Sequence, residues 1–284
     1  MVGMLLVTQS GNEASTYMHS GKLTMSAPKL RAVLLADAGS SARAFETPFN
    51  IPRTSHVDDY GVSTSDEHGP TGCRVPRVSL SIHCSQAHLE CASHVLPNEC
   101  PSTVSAALSN GMSEICILVT PRIERLGESG ESYPVGDPTD LVISARSVRA
   151  ALSLVDLQPP TDSILLRVPD EFLPRISGSN EIQSWPYLTL ECAQLIHDTF
   201  GHYRTNAPSV ERLESHGGMW SHCIIFGIEH DTRCIGPEGF PRRTIGELFH
   251  VPDHVIDGLY RLVCPFVDLG LDCAITVPLL YEFS

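Results

Sequence analysis

Apolar residues along this chain fall in short blocks whose spacing switches between the strand and helix periods. Residues 29–40 (Lys-Leu-Arg-Ala-Val-Leu-Leu-Ala-Asp-Ala-Gly-Ser) predict an opening strand and turn, after a polar, patternless stretch over 1–28 that reads as a loose leader. From about 46 to 74, Pro, Gly, Ser, Thr and Asp predict a long surface loop of the kind that often covers a functional site. Val75 to Ile82 alternates well enough for a strand and delivers the chain into His83. Buried strands are expected at Ile115–Val119 and Ser163–Val168, with a turn-rich stretch over 124–138. Residues 139–152 read as a strand running into a helix capped by Ser144. Leu190, Ala193, Leu195 and Ile196 recur at helical spacing behind Thr189. The stretch 201–243 looks irregular and rich in His and Gly, and strand-like segments follow at 244–249, 259–267 and 277–283. Alternating strands and helices predict an α/β class with a mixed β-core flanked by helices, in one domain over 29–284.

A chain of 284 residues can bury a sizeable core. Its 19 Lys+Arg against 33 Asp+Glu leave a formal net charge of −14, which argues against nucleic acid and against an acidic membrane surface as partners. No apolar run approaches the roughly 20 residues that span a bilayer. The opening Met-Val-Gly-Met-Leu-Leu-Val lacks the length and basic lead-in of a secretion signal, so a cytoplasmic location is expected. Ten cysteines include no two Cys-x-x-Cys units. Cys116, Cys192, Cys223 and Cys264 lie among apolar residues and read as buried thiols.

The thirteen histidines say more, because three of them fall in one segment, His83-Cys-Ser-Gln-Ala-His88-Leu-Glu90-Cys-Ala-Ser-His94. If a strand persists through 88–90, His88 and Glu90 project on one face at period two and both can grip one metal ion. His94 follows four residues after Glu90, placed to serve as a ligand or a proton shuttle. Imidazole and carboxylate suit Zn²⁺, Mn²⁺ or Fe²⁺. The plain competing explanation is chance clustering in a His-rich chain, with each histidine structural.

The segment resembles the signature of the cyclase family that includes bacterial kynurenine formamidase (arylformamidase). His83, His88, Glu90, Cys91 and His94 are similar to a divergent branch in which Glu replaces Asp and a Cys follows it. Other stretches resemble the family as well: Ser163-Ile-Leu-Leu-Arg167, the run from Trp185, Asn206-Ala-Pro-Ser-Val-Glu211, Ser221-His222, and Thr244-Ile-Gly-Glu247-Leu-Phe-His-Val-Pro252. Asp257 to Tyr260 and Pro278 to Tyr281 fit its closing strands, so the likeness runs over about residues 30–284.

The resemblance implies a kynurenine formamidase-like fold and a homodimer or higher homo-oligomer. It implies a site of one or two divalent ions, zinc or manganese, held by His88, Glu90, His222 and Glu247, with His83 a further candidate ligand. His94 would be the general acid/base for a metal-bound water. The implied activity is hydrolysis of an amide, formamide or lactone bond of a small molecule. A metal-dependent cyclase or dehydratase of specialised metabolism is the alternative reaction, and an inactive scaffold that only binds is the alternative class.

This sequence departs from the family where Gly-Thr becomes Gln86-Ala87 and where Asn206 stands at a commonly acidic position. Four residues before His88 stands Cys84, so either Cys84 replaces a ligand or an inserted residue makes His83 the equivalent. Cys84, Cys91 and Trp220 are candidate pocket residues, with a small buried thiol the plainer role for Cys91 and core packing equally open for Trp220. His250, His254 and the Arg242-Arg243 pair read as solvent-facing, and His216 as part of a Gly-rich loop.

Overall fold

The computed structural model describes residues 32–34, 63–68, 74–79, 86–96, 103–108, 111–155, 160–174, 184–234 and 241–283. Its strands are β1 (Ala32–Leu34), β2 (Ser63–His68), β3 (Arg74–Ser79), β4 (His88–Cys91), β5 (Ser113–Val119), β6 (Glu124–Arg125), β7 (Leu141–Ile143), β8 (Ser163–Leu166), β9 (Tyr187–Leu188), β10 (His202–Thr205), β11 (Thr244–Glu247), β12 (Gly258–Val263), β13 (Cys273–Ile275) and β14 (Leu279–Glu282). The α-helices are α1 (Val104–Ala107), α2 (Leu126–Ser129), α3 (Ala145–Leu152), α4 (Leu190–Thr199) and α5 (Trp220–Phe226). Among the described residues, nine strands form one mixed sheet in the order β1-β14-β12-β5-β8-β10-β11-β4-β13. The run β5-β8-β10-β11 is parallel, and β4 and β13 continue it antiparallel on one side. The α/β class with a mixed β-core and flanking helices is therefore present.

Period-two alternation splits the buried side chains into two layers. Ile117, Ile164, Tyr203 and Ile245 face the layer that also holds Val148, Ile196 and Phe226 from the helices. Cys116, Leu165, Leu89 and Cys91 face the opposite layer, with Phe249, Leu262 and Leu280. Helix starts are capped as their sequences predict: Ser144 Oγ accepts from the Ser147 N–H at 3.1 Å, and Thr189 Oγ1 accepts from the Cys192 N–H at 3.1 Å.

Two expectations need correcting, and one strand was not anticipated. The loop expected over 46–74 contains β2, which pairs antiparallel with β3 from Ser63↔Ser79 to His68↔Arg74. Its Ser-Thr-Ser-Asp-Glu-His sequence has no apolar alternation to read. The irregular stretch 201–243 supplies a central strand, β10, and the helix α5. In β10, Arg204 is fully buried against Glu114 and Thr205 is buried beside it, so Tyr203 is the strand's one apolar core residue and no apolar alternation marks it. In α5, Ser221, His222, Cys223, Ile225 and Phe226 are all buried, which leaves no polar stripe to reveal a helix period. The short edge strand β13 went unread. The leader at 1–28 and the residues His83 and Cys84 lie outside the described residues. Among the described residues, no helix is long and apolar enough to cross a membrane.

Candidate metal centre

The strand expected through His88 and Glu90 exists, and its pleat decides which side chains meet. In β4, Leu89 and Cys91 point into the apolar layer of Leu165 and Phe249, so His88 and Glu90 project from the other face. Cys91 is thereby part of the opposite layer, away from His88 and Glu90, as the plainer reading of it holds. β11 lies antiparallel to β4 with Glu247 opposite His88. α5 brings His222 in from the helical layer.

The four side chains close a ring. Glu90 Oε1 lies 3.1 Å from His88 Nε2, and Glu90 Oε2 lies 3.1 Å from His222 Nε2. Across the ring, Glu247 Oε2 is 3.5 Å from His88 Nε2 and Glu247 Oε1 is 3.7 Å from His222 Nε2. His94, in the 3-10 turn directly after β4, places Nε2 3.8 Å from Glu90 Oε1. Two donor groups share Glu90, one made with His94 and His222 and the other with His88 and Glu247, each spanning no more than 4.8 Å.

Left-handed backbone flanks two of these residues. Leu248, next to Glu247, has φ 60°, and Met219, at the start of α5, has φ 52°. Each such non-glycine residue costs on the order of 1–3 kcal/mol, so surrounding contacts must hold it. Leu248 donates its N–H to Ala207 O at 3.1 Å, and the Val210 N–H donates to Glu247 Oε1 at 3.0 Å.

All three imidazoles are tied down through Nδ1, each by a different acceptor. His88 Nδ1 sits 2.8 Å from the backbone carbonyl of Gln86, a contact any residue can supply, so the Gln86-Ala87 departure leaves it intact. His222 Nδ1 sits 3.0 Å from Glu211 Oε1, which also accepts the His222 backbone N–H at 2.9 Å. His94 Nδ1 sits 3.2 Å from Asp272 Oδ2. Glu211 falls in the Asn206–Glu211 stretch that resembles the family but has no chemistry assigned by it, and no spacing or motif in the sequence points to Asp272.

Charge balance shows what the ring wants. Burial disfavours an imidazolium at His88, yet hydrogen bonds and charge from Glu247 and Glu90 outweigh it and raise its pKa to about 10. At His222, burial is likewise outweighed by Glu211 and Glu90, again to about 10. His94 is raised too, burial being overcome by Glu90 and Asp272. The glutamates thus demand positive charge, which the metal-free protein meets with protons. The donor set fits a divalent cation in their place. Atoms bonding one tetrahedral ion at about 2.0–2.1 Å lie about 3.3 Å apart, and the ring contacts bracket that spacing.

The remaining candidates sit farther out. Trp220 is half-buried in an aromatic group, edge-on to Tyr133 at 5.6 Å and stacked on His230 at 5.2 Å. His216, His250 and His254 are exposed, as is Arg242. Arg243 is half-buried and donates to Phe200 O at 2.6 Å. Cys116, Cys192, Cys223 and Cys264 are buried and unbridged.

No protein-family model and no curated relative matches this sequence. Solved structures do. A potential metal-dependent hydrolase with cyclase activity superposes with a TM-score of 0.56 at 15% identity, over 90% of this chain and 99% of its own. A predicted metal-dependent hydrolase from Bacillus stearothermophilus gives 0.53 at 14% identity, over 89% of this chain and 99% of its own. Isatin hydrolase A from Labrenzia aggregata, bound to benzyl benzoate, gives 0.59 at 11% identity, over 90% and 94%. At such identities the likeness is one of architecture, and the chain has the fold of these cyclase-like metal-dependent hydrolases.

Proposed function

We propose that this protein is a metal-dependent hydrolase that opens an amide, formamide or lactone bond of a small molecule. The observation that carries the reading is the closed ring of His88, Glu90, His222 and Glu247, with its contacts at 3.1, 3.1, 3.5 and 3.7 Å. These side chains would hold a divalent ion, zinc or manganese, and His94 with Glu90 and His222 offers a second position. When bound, the ion supplies Lewis acidity toward a scissile carbonyl and brings the pKa of water towards neutrality.

The protein's own part is to hold the donors and move a proton. His94 is the imidazole of the three that solvent reaches, its side chain 21% exposed against 0% for His88 and 2% for His222. Its Nδ1 rests on Asp272 and its Nε2 faces the ring, so it can take a proton from the attacking water and deliver it to the leaving nitrogen or oxygen. Water oxygen bonds to the carbonyl carbon, the C–N or C–O bond breaks, and His94 is returned unchanged. The products are a carboxylic acid and an amine or alcohol, or one ring-opened molecule bearing both.

Among the structural neighbours, the isatin hydrolases are named for a cyclic amide, which supports placing amides first. The test supplements purified protein with zinc or manganese and offers N-formylkynurenine, isatin and simple lactones. Acid release with the mass gain of one water, lost on chelation, is the expected result. Retention of less than about a tenth of an equivalent of metal after supplementation would sink the reading.

A further inference from the structure

We propose that Glu211 and Tyr133 form a built-in orienting pair that fixes His222 as a ligand through Nε2, and so set the strength of the metal site. This rests on the metal-site reading above and assigns two residues that take no part in the ring itself. Glu211 is 3% exposed, and every oxygen of its carboxylate is spoken for. Oε1 accepts both the backbone N–H and the Nδ1–H of His222, at 2.9 and 3.0 Å. Oε2 accepts the Tyr133 hydroxyl.

The backbone around Glu211 is anchored without the carboxylate. Its carbonyl accepts from Trp185 Nε1 at 3.0 Å, and its N–H donates to Ser209 Oγ at 3.2 Å. The side chain is therefore free to serve His222 rather than to hold its own loop. Tyr133 is itself wedged, with ring centroids 4.6 Å from Tyr187 and 5.6 Å from Trp220, so its hydroxyl meets Glu211 from a fixed direction.

The consequence is chemical. A carboxylate on Nδ1–H leaves Nε2, which lies 3.1 Å from Glu90 Oε2, as the nitrogen whose lone pair an ion would take in place of a proton, and it makes the imidazole a stronger donor. His88 gets the same tautomer from a neutral carbonyl, Gln86 O, and His94 from Asp272, whose side chain is 37% exposed. The His222 imidazole is oriented by a buried carboxylate that is itself held by a second side chain, Tyr133. That arrangement suits a permanent ligand, while the open Asp272 partner suits a histidine that exchanges protons.

The experiment is a zinc competition titration against a chromophoric chelator on wild type, Glu211→Ala, Glu211→Gln, Glu211→Asp, Tyr133→Phe and His222→Ala. The visible spectrum of the Co²⁺-loaded forms is recorded alongside, since it reports ligand geometry that general destabilisation does not move. Glu211→Ala is expected to weaken zinc by about 10–100-fold and to alter the Co²⁺ bands. Glu211→Gln, which keeps an acceptor oxygen for Nδ1–H, should restore most of both. Tyr133→Phe should weaken zinc by a few-fold. If Glu211→Ala does not fold, Glu211→Asp decides, because it keeps the charge but withdraws it by one methylene and should weaken zinc about 10-fold or more. Affinities within twofold of wild type and unchanged Co²⁺ bands in the Glu211 variants, with His222→Ala losing zinc, would overturn the orienting pair and leave the metal site standing. Wild type that takes up no metal would overturn both.

Discussion

Glu90 and His222 stand 132 residues apart in sequence and meet with 3.1 Å between Oε2 and Nε2. The same carboxylate touches His88 through its other oxygen, also at 3.1 Å, so Glu90 is the hinge of the whole ring. Removing it takes from His88 Nε2 and His222 Nε2 the carboxylate that both share. Glu90→Ala is therefore expected to abolish tight metal binding, by more than about 100-fold. It should also destabilise the metal-free fold by about 3 kcal/mol, the scale for breaking one member of a buried charged group. Metal analysis by mass spectrometry and urea unfolding with chelator present check the two parts separately.

A second prediction concerns pH in the metal-free protein. His88 and His222 have folded pKa values raised to about 10 from an ordinary 6.5. A group held more basic in the folded state stabilises fully below the unfolded value and loses that contribution as pH rises through the folded one. Metal-free protein should therefore lose stability between about pH 6.5 and 10. Saturating zinc removes the protons from the ring, so the loaded protein should not show this decline. Urea midpoints at pH 6, 8 and 10, with chelator and with zinc, give the answer. Parallel slopes in the two series would contradict it.

His94 separates binding from chemistry. Its Nε2 is 3.8 Å from Glu90 Oε1, its Nδ1 is held by Asp272, and its side chain is partly open to solvent. His94→Ala should keep the metal at the His88/Glu90/Glu247 position while lowering kcat on a cleaved amide or lactone by about 10²–10⁴-fold, the usual range for a general acid/base. Asp272→Asn keeps an acceptor for Nδ1–H and should cost far less. Metal content and steady-state kinetics on the same preparations decide it. A His94→Ala protein that loses both metal and turnover together would make His94 a ligand instead.

How much of this was legible in the sequence depends on distance along the chain. His88 and Glu90 were readable because a strand's period of two puts both on one face whatever the tertiary fold does. His222 and Glu247 emerged only by resemblance, since no local period links a helix residue to a strand residue. Glu211 lies 11 residues from His222 across an irregular loop, and Asp272 lies 178 from His94, separations that carry no spacing rule. The polar burial that hid β10 and α5 has the same origin. Arg204 and His222 are buried because charged partners wait for them, and a hydrophobic pattern cannot show a partner.

The last prediction lies on the opposite face of the sheet. His202 in β10 accepts the Thr244 backbone N–H at Nδ1, 3.2 Å away, which requires that nitrogen to be unprotonated. Burial pushes its pKa down to about 4, and the attraction of Glu114 does not restore it. A depressed folded value means the stabilising contribution is complete above the unfolded pKa near 6.5 and disappears as pH falls towards 4. The shift corresponds to at most about 3 kcal/mol. His202→Asn offers an amide oxygen in place of Nδ1 as acceptor and has no proton to take up. Thermal unfolding of metal-free protein between pH 7 and 4.5 should therefore fall less steeply in His202→Asn than in wild type. Equal slopes would mean that His202 is protonated in the fold, and that the Thr244 N–H finds its acceptor elsewhere.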